Sequence, residues 1–201
     1  MKVYGITGGA GTGKSEVIKM LQENFGGCVI MSDEVARELM QKGNISYQLI
    51  VEYFGRDILM DEGEIDRKKL ADHVFNNKEA LEKLNSMTHP YVKNEIRKLI
   101  AEAEASGECR FVALESAILL ECGYEDICDE FWYVYTKPEI RRQRMKETRN
   151  YSDEKVDSVM RNQQPDEVFF EQCSFVIENN TTLSDVYDQL KEKLDQQLMH
   201  E

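Results

Sequence analysis

Proline and tryptophan are scarce in this sequence, whose 201 residues include 3 Pro and 1 Trp, and 5 residues are Cys. The cysteines are odd in number and widely scattered, and none belongs to a C-x-x-C pair or to a Cys/His cluster with zinc spacing. This pattern argues against a structural metal framework. We therefore predict reduced thiols that pack as small apolar side chains.

Long apolar runs are also missing. No segment approaches the ~20 apolar residues that a membrane helix needs, so we expect no membrane partner. The first residues lead into glycines before a long apolar region can form, and we expect no secretory signal peptide. These absences together predict a cytoplasmic protein.

Positive charge is in deficit, since 25 Lys and Arg stand against 38 Asp and Glu and the formal net charge is −13. A protein that binds duplex nucleic acid presents a basic surface, and docking on anionic lipid needs clustered basic residues. We therefore expect neither nucleic acid nor a membrane surface as partner. The apolar content of 41% is ordinary, which excludes disorder of the whole chain.

Five short apolar segments predict β-strands at residues 2–7, 28–31, 111–114, 131–135 and 175–177. Helical periodicity separates them, and strands that alternate with helices predict an α/β fold with a parallel sheet covered on both faces. Residues 34–107 read as helical almost throughout and are too many for a plain crossover, so we interpret them as an insertion. Within it, Pro90 is predicted to be the first residue of a new helix, and residues 117–121 are predicted to form a short helix.

A complete Walker A pattern, Gly8-x-x-x-x-Gly13-Lys14-Ser15, follows the first predicted strand and opens a predicted helix. In this motif backbone N–H groups surround phosphate oxygens, the lysine reaches the β- and γ-phosphates, and the Ser15 hydroxyl holds Mg²⁺. We therefore predict ATP as co-substrate and Mg²⁺ as cofactor. The residues expected around the phosphates are Gly9, Ala10, Gly11, Thr12, Gly13, Lys14, Ser15 and Glu16. A GTPase would carry an Asn-Lys-x-Asp guanine reader, which Thr136-Lys137-Pro138-Glu139 does not match, so a kinase of a small acceptor is favoured.

Two carboxylates follow predicted strands, at the sheet edge that adjoins a phosphate loop. Asp33 either acts as a general base or holds a magnesium-bound water, while the alternative is that Ser32 or Asp33 simply caps the next helix. Arg37, one helical turn on, shares a face with Asp33 and is placed to reach a substrate phosphate. Glu115 is placed to touch Mg²⁺ through water. For His89, a structural role beside Pro90 is the alternative to a role in the site.

A basic segment contrasts with the acidic whole. Six basic residues fall within thirteen positions that hold only two acids, and on a helix Arg141 and Arg144 share one face while Arg142, Lys146 and Arg149 lie on another. Both faces cannot approach one ligand. Either the helix is a solvated charged element, or it is an arginine-bearing lid that closes over ATP and neutralises the transferring phosphoryl group.

The whole chain resembles the bacterial dephospho-coenzyme A kinase family, which phosphorylates the ribose 3′-hydroxyl of dephospho-CoA. The phosphate loop alone is generic, whereas an Asp-x-x-Ala-Arg segment followed later by His-Pro is far more specific. The motifs that carry the resemblance are Gly5-Ile-Thr-Gly-Gly-Ala-Gly-Thr-Gly-Lys-Ser15, Ser32-Asp33-Glu-Val-Ala-Arg-Glu-Leu39, Gly63-Glu-Ile-Asp-Arg67, Leu84-Asn85 with Thr88-His89-Pro90, and Ile177-Glu-Asn179.

The resemblance implies a three-layer P-loop fold with a five-stranded parallel sheet, in one kinase domain over residues 1–201. Residues 34–107 would be the helices that bind the CoA moiety, and residues 137–165 the lid. Asp33 would be the base at the 3′-hydroxyl, and Lys14 and Arg144 would neutralise developing charge, with Arg141 also at ATP. The acceptor site would be lined by Thr7, Asp33, Arg37, His89 and Glu115.

Four departures from the family pattern accompany the resemblance. Arg141 stands where the lid usually has glutamine, Ala117 opens a segment that usually reads Pro-Leu-Leu-Phe-Glu, Met31 replaces a common Asp, and Thr148 precedes a displaced lid arginine. Two alternatives therefore stay open beside dephospho-CoA kinase. One is another small-molecule kinase of the same fold, and the other is a non-catalytic relative that binds nucleotide or CoA.

Overall fold

The computed structural model describes residues 1–75 and 77–198, and within them it contains five strands, nine α-helices and one short 3₁₀ helix. In chain order the elements are β1 (Lys2–Thr7), α1 (Lys14–Phe25), β2 (Gly27–Met31), α2 (Ser32–Leu39), α3 (Ile45–Phe54), the 3₁₀ helix (Arg56–Ile58), α4 (Arg67–Val74), α5 (Lys78–Ser106), β3 (Phe111–Glu115), β4 (Glu130–Tyr135), α6 (Pro138–Arg149), α7 (Asp153–Arg161), α8 (Asp166–Gln172), β5 (Phe175–Glu178) and α9 (Leu183–Leu198). Among these residues no helix is both long enough and apolar enough to cross a membrane.

The five strands form one sheet in the order β2-β3-β1-β4-β5. The pairs β1–β3, β1–β4 and β4–β5 are parallel, as the alternation of strands and helices predicted. β1 is the central strand, with β3 on one side and β4 on the other. The strand order therefore reverses at β1. Ligands of open α/β sheets bind outside the carboxyl ends of the strands where the strand order reverses, so the segment that follows β1 lies at the expected place for a site.

The chain divides into two compact units. One consists of Met1–Val29 and Ala103–Glu201, and the other of Ile30–Glu102. The first unit is built on the sheet, and its core consists of side chains with little or no exposure, among them Ile6, Leu21, Leu114, Trp132, Val134, Ile177 and Leu190. Apolar residues at helical spacing on α1 and α9 supply the helix side of this core, which explains why these sequences form amphipathic helices.

The second unit is helical and has a small core of its own. Ile50, Ile58, Ile65 and Leu70 are buried together, and partly buried side chains such as Leu84 pack against them. The unit therefore does not depend on strand pairing for its apolar burial.

Pro90 does not begin a helix, contrary to the sequence prediction, but lies inside the 29-residue α5. A proline inside a helix removes one backbone hydrogen bond and costs about 3 kcal/mol. The buried residues Met87 and Val92 flank it, and Ala80 and Ile96 continue the buried face at either end. Burial along this continuous face outweighs the local cost of Pro90, so α5 runs through it.

Two further local predictions differ from the structure. Residues 117–121 form turns rather than a helix. The second difference is that α8 was not predicted, although Pro165 precedes it, two acidic residues occupy its first turn and Phe169 is buried on it. A Pro followed by acidic residues is a helix start signal, but a helix of seven residues shows too few turns for a clear periodicity.

The cysteine prediction is wrong for one pair, because Cys28 and Cys109 form a disulfide with their Cα atoms 5.5 Å apart. The two positions are 81 residues apart in sequence. They meet because Cys28 lies in β2 and Cys109 lies just before β3, the neighbouring strand in the sheet. Sheet order, which spacing along the chain does not reveal, decides this pairing.

Candidate active site

The phosphate loop, defined as Gly8–Ser15, connects β1 to α1. Gly13 is the residue before α1 and has a left-handed backbone conformation with φ of 87°. A Cβ atom at this position would also collide with the side-chain amide nitrogen of Asn179. Both conformation and space therefore require glycine here. The turn that results presents the first backbone N–H groups of α1, which have no partners within the helix and form an anion-binding site.

Lys14 points back into the phosphate loop. Its Nζ donates hydrogen bonds to the carbonyl oxygens of Gly8 at 2.5 Å and Gly9 at 3.4 Å. Glu115 at the end of β3 faces the same ammonium group, with 3.8 Å between Nζ and Oε1, and the two side chains are only 14% and 11% exposed. Restricted solvent strengthens the attraction between the two groups, which keeps the ammonium group inside the loop where phosphate oxygens would bind.

The carbonyl oxygen of Thr12 accepts hydrogen bonds from three side chains. The Thr136 hydroxyl and the Asn179 amide donate to it at 2.9 Å each, and Nη1 of Arg144 donates at 3.4 Å. Thr136 and Asn179 are buried. Sequence reasoning did not assign either residue to the site, although Asn179 belongs to a motif that carries the family resemblance. These bonds tie the loop to the carboxyl ends of β4 and β5.

Arg141 and Arg144 of α6 both face the phosphate loop. Arg144 Nη2 also donates to the carbonyl oxygen of Asn179 at 3.1 Å, and Arg141 Nε donates to that of Ala10 at 3.1 Å. The structure thus confirms that these two arginines share one face of the helix. It also shows them bound to the loop's backbone.

The other face of α6 contacts α7. Arg142 pairs with Asp157 and with Asp153, and Lys146 lies 2.5 Å from Asp153. These acids follow the basic segment closely in sequence and neutralise the face that does not meet the loop. The two faces of α6 therefore have different partners within the protein.

The remaining predicted residues of the sheet unit differ in exposure. Thr7 is completely buried, and its hydroxyl has no hydrogen-bond partner among residues 1–75 and 77–198. Ser15 and Glu16 are exposed in the first turn of α1. The sheet unit therefore brings together the phosphate loop, Glu115 and the two loop-facing arginines.

Asp33 and Arg37 lie in the helical unit, one turn apart on α2, and both are exposed. The expectation that Ser32 or Asp33 caps this helix is wrong, because the residue before it is Met31 and no side chain caps it. Asp33 is the second residue of the helix. The Asp33 carboxylate therefore does not cap the helix, and it is exposed and available for other contacts.

His89 lies on α5 and is partly buried. Burial first, and the positive charge of Lys93 second, lower the pKa of His89 below its ordinary value near 6.5. The imidazole is therefore neutral at physiological pH, with one nitrogen able to donate and the other able to accept a hydrogen bond.

The donor set of the sheet unit suits Mg²⁺. In the described part of the chain no three His, Cys, Asp or Glu side chains cluster in a way that would hold a metal. Mg²⁺ does not need such a cage, since it usually keeps several waters and takes one or two protein oxygens together with substrate phosphates. The exposed Ser15 hydroxyl and the Glu115 carboxylate beside Lys14 are oxygen donors of this kind.

Comparison with known proteins gives consistent matches over nearly the whole chain. The model of the dephospho-CoA kinase family, CoaE, matches residues 2–185. A dephospho-CoA kinase of Carboxydothermus hydrogenoformans is 36% identical over 94% of this chain and 91% of its own length. One of Bacillus licheniformis is 38% identical over 96% and 95%.

A solved structure agrees with these sequence matches. The dephospho-CoA kinase from Campylobacter jejuni has a TM-score of 0.70 and 26% identity, covering 97% of this chain and 96% of that one. The sheet order and the phosphate loop described above confirm the predicted P-loop α/β fold. On the extent of the family match, this chain belongs to the dephospho-CoA kinase family.

Proposed function

We propose that this protein transfers the γ-phosphoryl group of ATP to the ribose 3′-hydroxyl of dephospho-CoA, giving CoA and ADP. Membership of the family supplies the reaction class. The observation that carries the proposal is the phosphate loop with Lys14 Nζ held among its carbonyl oxygens beside Glu115. Phosphoryl transfer needs mainly positioning and neutralisation of charge, and both are built into this loop.

The phosphates of ATP bind along the loop in this proposal. Backbone N–H groups from Gly9 to Glu16 donate to phosphate oxygens, and Lys14 and Arg144 neutralise the charge that develops on the transferring group. Their placement supports this role, because Arg144 already contacts the loop at Thr12 and Lys14 lies inside it. Preorganised donors of this kind lower the barrier because they need no rearrangement during the reaction.

Mg²⁺ belongs to the proposal as the cofactor that arrives with ATP. Ser15 would hold it through its hydroxyl and Glu115 through a water. When bound it withdraws negative charge from the β- and γ-phosphate oxygens. The protein's own contribution is to keep these two oxygen donors at the end of β3 and the start of α1.

The acceptor side of the proposal uses the residues that the family resemblance implies. Asp33 accepts the proton of the 3′-hydroxyl, Arg37 binds a phosphate of dephospho-CoA, and Thr7, His89 and Glu115 line the site. The neutral state of His89 supports a hydrogen-bonding role, and exposure of Asp33 and Arg37 leaves both side chains accessible to a ligand. We extend the proposal to residues 34–107 as the CoA-binding insertion, to residues 137–165 as the lid and to a cytoplasmic location.

An ADP-release assay with dephospho-CoA tests the transfer, and phosphorus NMR of the product identifies the hydroxyl that is modified. We expect Lys14→Ala to lower kcat/KM about 10²–10³-fold. Lys19→Ala, an exposed lysine on the same helix, serves as the matched control and keeps wild-type turnover.

Asp33→Asn separates the acceptor side from the nucleotide side. We expect kcat to fall about 10²–10⁴-fold while the KM for ATP stays at the wild-type value, because Asp33 does not contact the nucleotide in this proposal. Glu34→Gln changes the neighbouring exposed carboxylate and keeps activity. Phosphorylation of shikimate or a nucleoside in place of dephospho-CoA would contradict the assignment of dephospho-CoA as the acceptor. Binding of ATP without transfer to any acceptor contradicts catalysis.

A further inference from the structure

Arg141 is buried, with 5% of its surface exposed, and each nitrogen of its guanidinium has a protein partner. Nε donates to the carbonyl oxygen of Ala10 at 3.1 Å, Nη1 to Asp166 Oδ1 at 3.4 Å, and Nη2 to the side-chain oxygen of Gln163. A planar guanidinium fixed at all three nitrogens has little freedom to turn. Arg141 therefore acts as a rigid connection between the phosphate loop and the segment that begins α8.

The bond to Ala10 has a consequence for the next residue. A trans peptide is planar, and its C=O and N–H groups point in opposite directions. The Arg141 guanidinium holds the carbonyl oxygen of Ala10, so the N–H of Gly11 in the same peptide points away from that guanidinium. Such N–H groups are the donors with which a phosphate loop binds its ligand.

Asp166 is held in turn by Tyr133. The hydroxyl of Tyr133 donates to the same Oδ1 atom over 2.6 Å. The ring of Tyr133 is completely buried and stacks on Phe169 with centroids 4.7 Å apart. Burial, and then the bond to Asp166, raise the pKa of Tyr133 far above its usual range, so the hydroxyl remains a donor at physiological pH.

The packing on the loop is tight as well as polar. A Cβ atom on Gly9 would collide with the Arg141 guanidinium and with the side-chain oxygen of Gln163. The guanidinium therefore lies directly against the loop backbone, where a small displacement of Arg141 alters the loop itself.

We propose that Asp166 and Tyr133 are positioning residues for the ATP site, which act through Arg141 on the peptide between Ala10 and Gly11. The proposal rests on the proposed function only in that the phosphate loop binds ATP. Asp166 and Tyr133 do not touch the nucleotide. They keep Arg141 in the one orientation that presents the loop's N–H donors to phosphate. Their loss therefore weakens the binding of ATP and leaves the binding of the acceptor unchanged.

A double-variant cycle of Arg141→Gln and Asp166→Asn tests this route, with KM for ATP and KM for dephospho-CoA both measured. Loss of a charged hydrogen bond corresponds to roughly a ten-fold loss of affinity or more. We expect each single variant to raise the KM for ATP about ten-fold, and the double variant about ten-fold as well, because both changes interrupt one connection. The KM for dephospho-CoA stays unchanged. A hundred-fold rise in the double variant, as independent sites would give, overturns the proposal.

Tyr133→Phe is the milder variant, since it keeps the ring stack and removes only the hydroxyl. We expect a rise of about three-fold in the KM for ATP, and Asp166→Glu, which keeps the carboxylate, recovers part of the affinity lost in Asp166→Asn. Glu167→Gln is the matched control, because Glu167 is the exposed neighbour on α8. Variants that lower the melting temperature but leave the KM for ATP at the wild-type value also overturn the proposal.

Calorimetric titration with a non-hydrolysable ATP analogue separates this proposal from the function. If the wild-type protein binds the analogue but does not phosphorylate dephospho-CoA, the proposed reaction is wrong. The double-variant cycle of Arg141→Gln and Asp166→Asn can then still be measured through the Kd for the analogue. If Asp166→Asn and Tyr133→Phe leave that Kd unchanged in an active enzyme, the positioning role fails alone.

Discussion

The side-chain amide of Asn179 donates a hydrogen bond to the carbonyl oxygen of Thr12 over 2.9 Å, across 167 residues of sequence. This single bond joins the segment after β5 to the phosphate loop. Asn179 is buried, and its own backbone carbonyl accepts from Thr136 and Arg144. The end of the last strand therefore helps to define the shape of a loop formed at the start of the chain.

Asn179→Ala removes this donor from a buried position. We expect the free energy of unfolding to fall by about 2 kcal/mol, because a buried polar contact is lost and a small space is left, and we expect the KM for ATP to rise. Urea unfolding and steady-state kinetics measure the two effects. Asn94→Ala removes an exposed amide on α5 and changes stability by no more than about 0.5 kcal/mol. Equal losses in both variants would contradict a specific role for Asn179.

Gly9→Ala tests the contact between the loop and Arg141. The new methyl group meets the guanidinium and Gln163, so the loop or Arg141 must move, and we expect the affinity for ATP to fall about ten-fold or more. In an Arg141→Ala background only the Gln163 side chain still meets the methyl group, and it has lost its hydrogen bond to Arg141 and can turn aside, so Gly9→Ala then has a much smaller effect. Nucleotide titration of all four proteins checks this. An equal effect in both backgrounds would show that Arg141 is not the obstacle.

His89 predicts a pH dependence of stability. Its folded pKa lies below the ordinary value of 6.5, so the unfolded chain takes up the proton first as the pH falls. The stabilisation is therefore complete above pH 6.5 and decreases as the pH falls through the folded pKa. Urea unfolding between pH 7.5 and about 5 should show a shallower loss in His89→Gln than in the wild type. His73→Gln is the matched control. If both variants change the pH dependence of the free energy of unfolding equally, His89 is not the group responsible for it.

The disulfide between Cys28 and Cys109 predicts the number of titratable thiols. Denatured protein prepared without reductant should react at three cysteines, and at all five after reduction. In the native protein Cys173 should react slowly, because burial raises the pKa of its thiol to about 12. Since the bridge closes 81 residues, reduction is expected to lower stability by up to about 4 kcal/mol. Five reactive thiols before reduction would rule out the bridge.

Short-range sequence patterns were enough to predict the strands and the phosphate loop. The five strands are observed within one residue of their predicted ends, because each is a short apolar run beside glycine or charge. The phosphate loop was equally clear, since its chemistry demands glycine and lysine at set spacing. Pro90 was misplaced because its local cost is evident in sequence, whereas the buried face that outweighs it is a tertiary property.

The amino-acid sequence by itself determined the strand and helix pattern, the phosphate loop and the family, because these depend on residue type and spacing over short distances. Sequence reasoning expected Glu115 and Arg141 near that loop, whereas only the tertiary structure decided that Thr136 and Asn179 contact it. Glu115, Asn179 and Arg141 reach it because a parallel sheet gathers the carboxyl ends of β3, β4 and β5 at one edge. The same folding gives α6 one face on the loop and one on α7, and links Tyr133, Asp166 and Arg141 in a network that no spacing along the chain reveals.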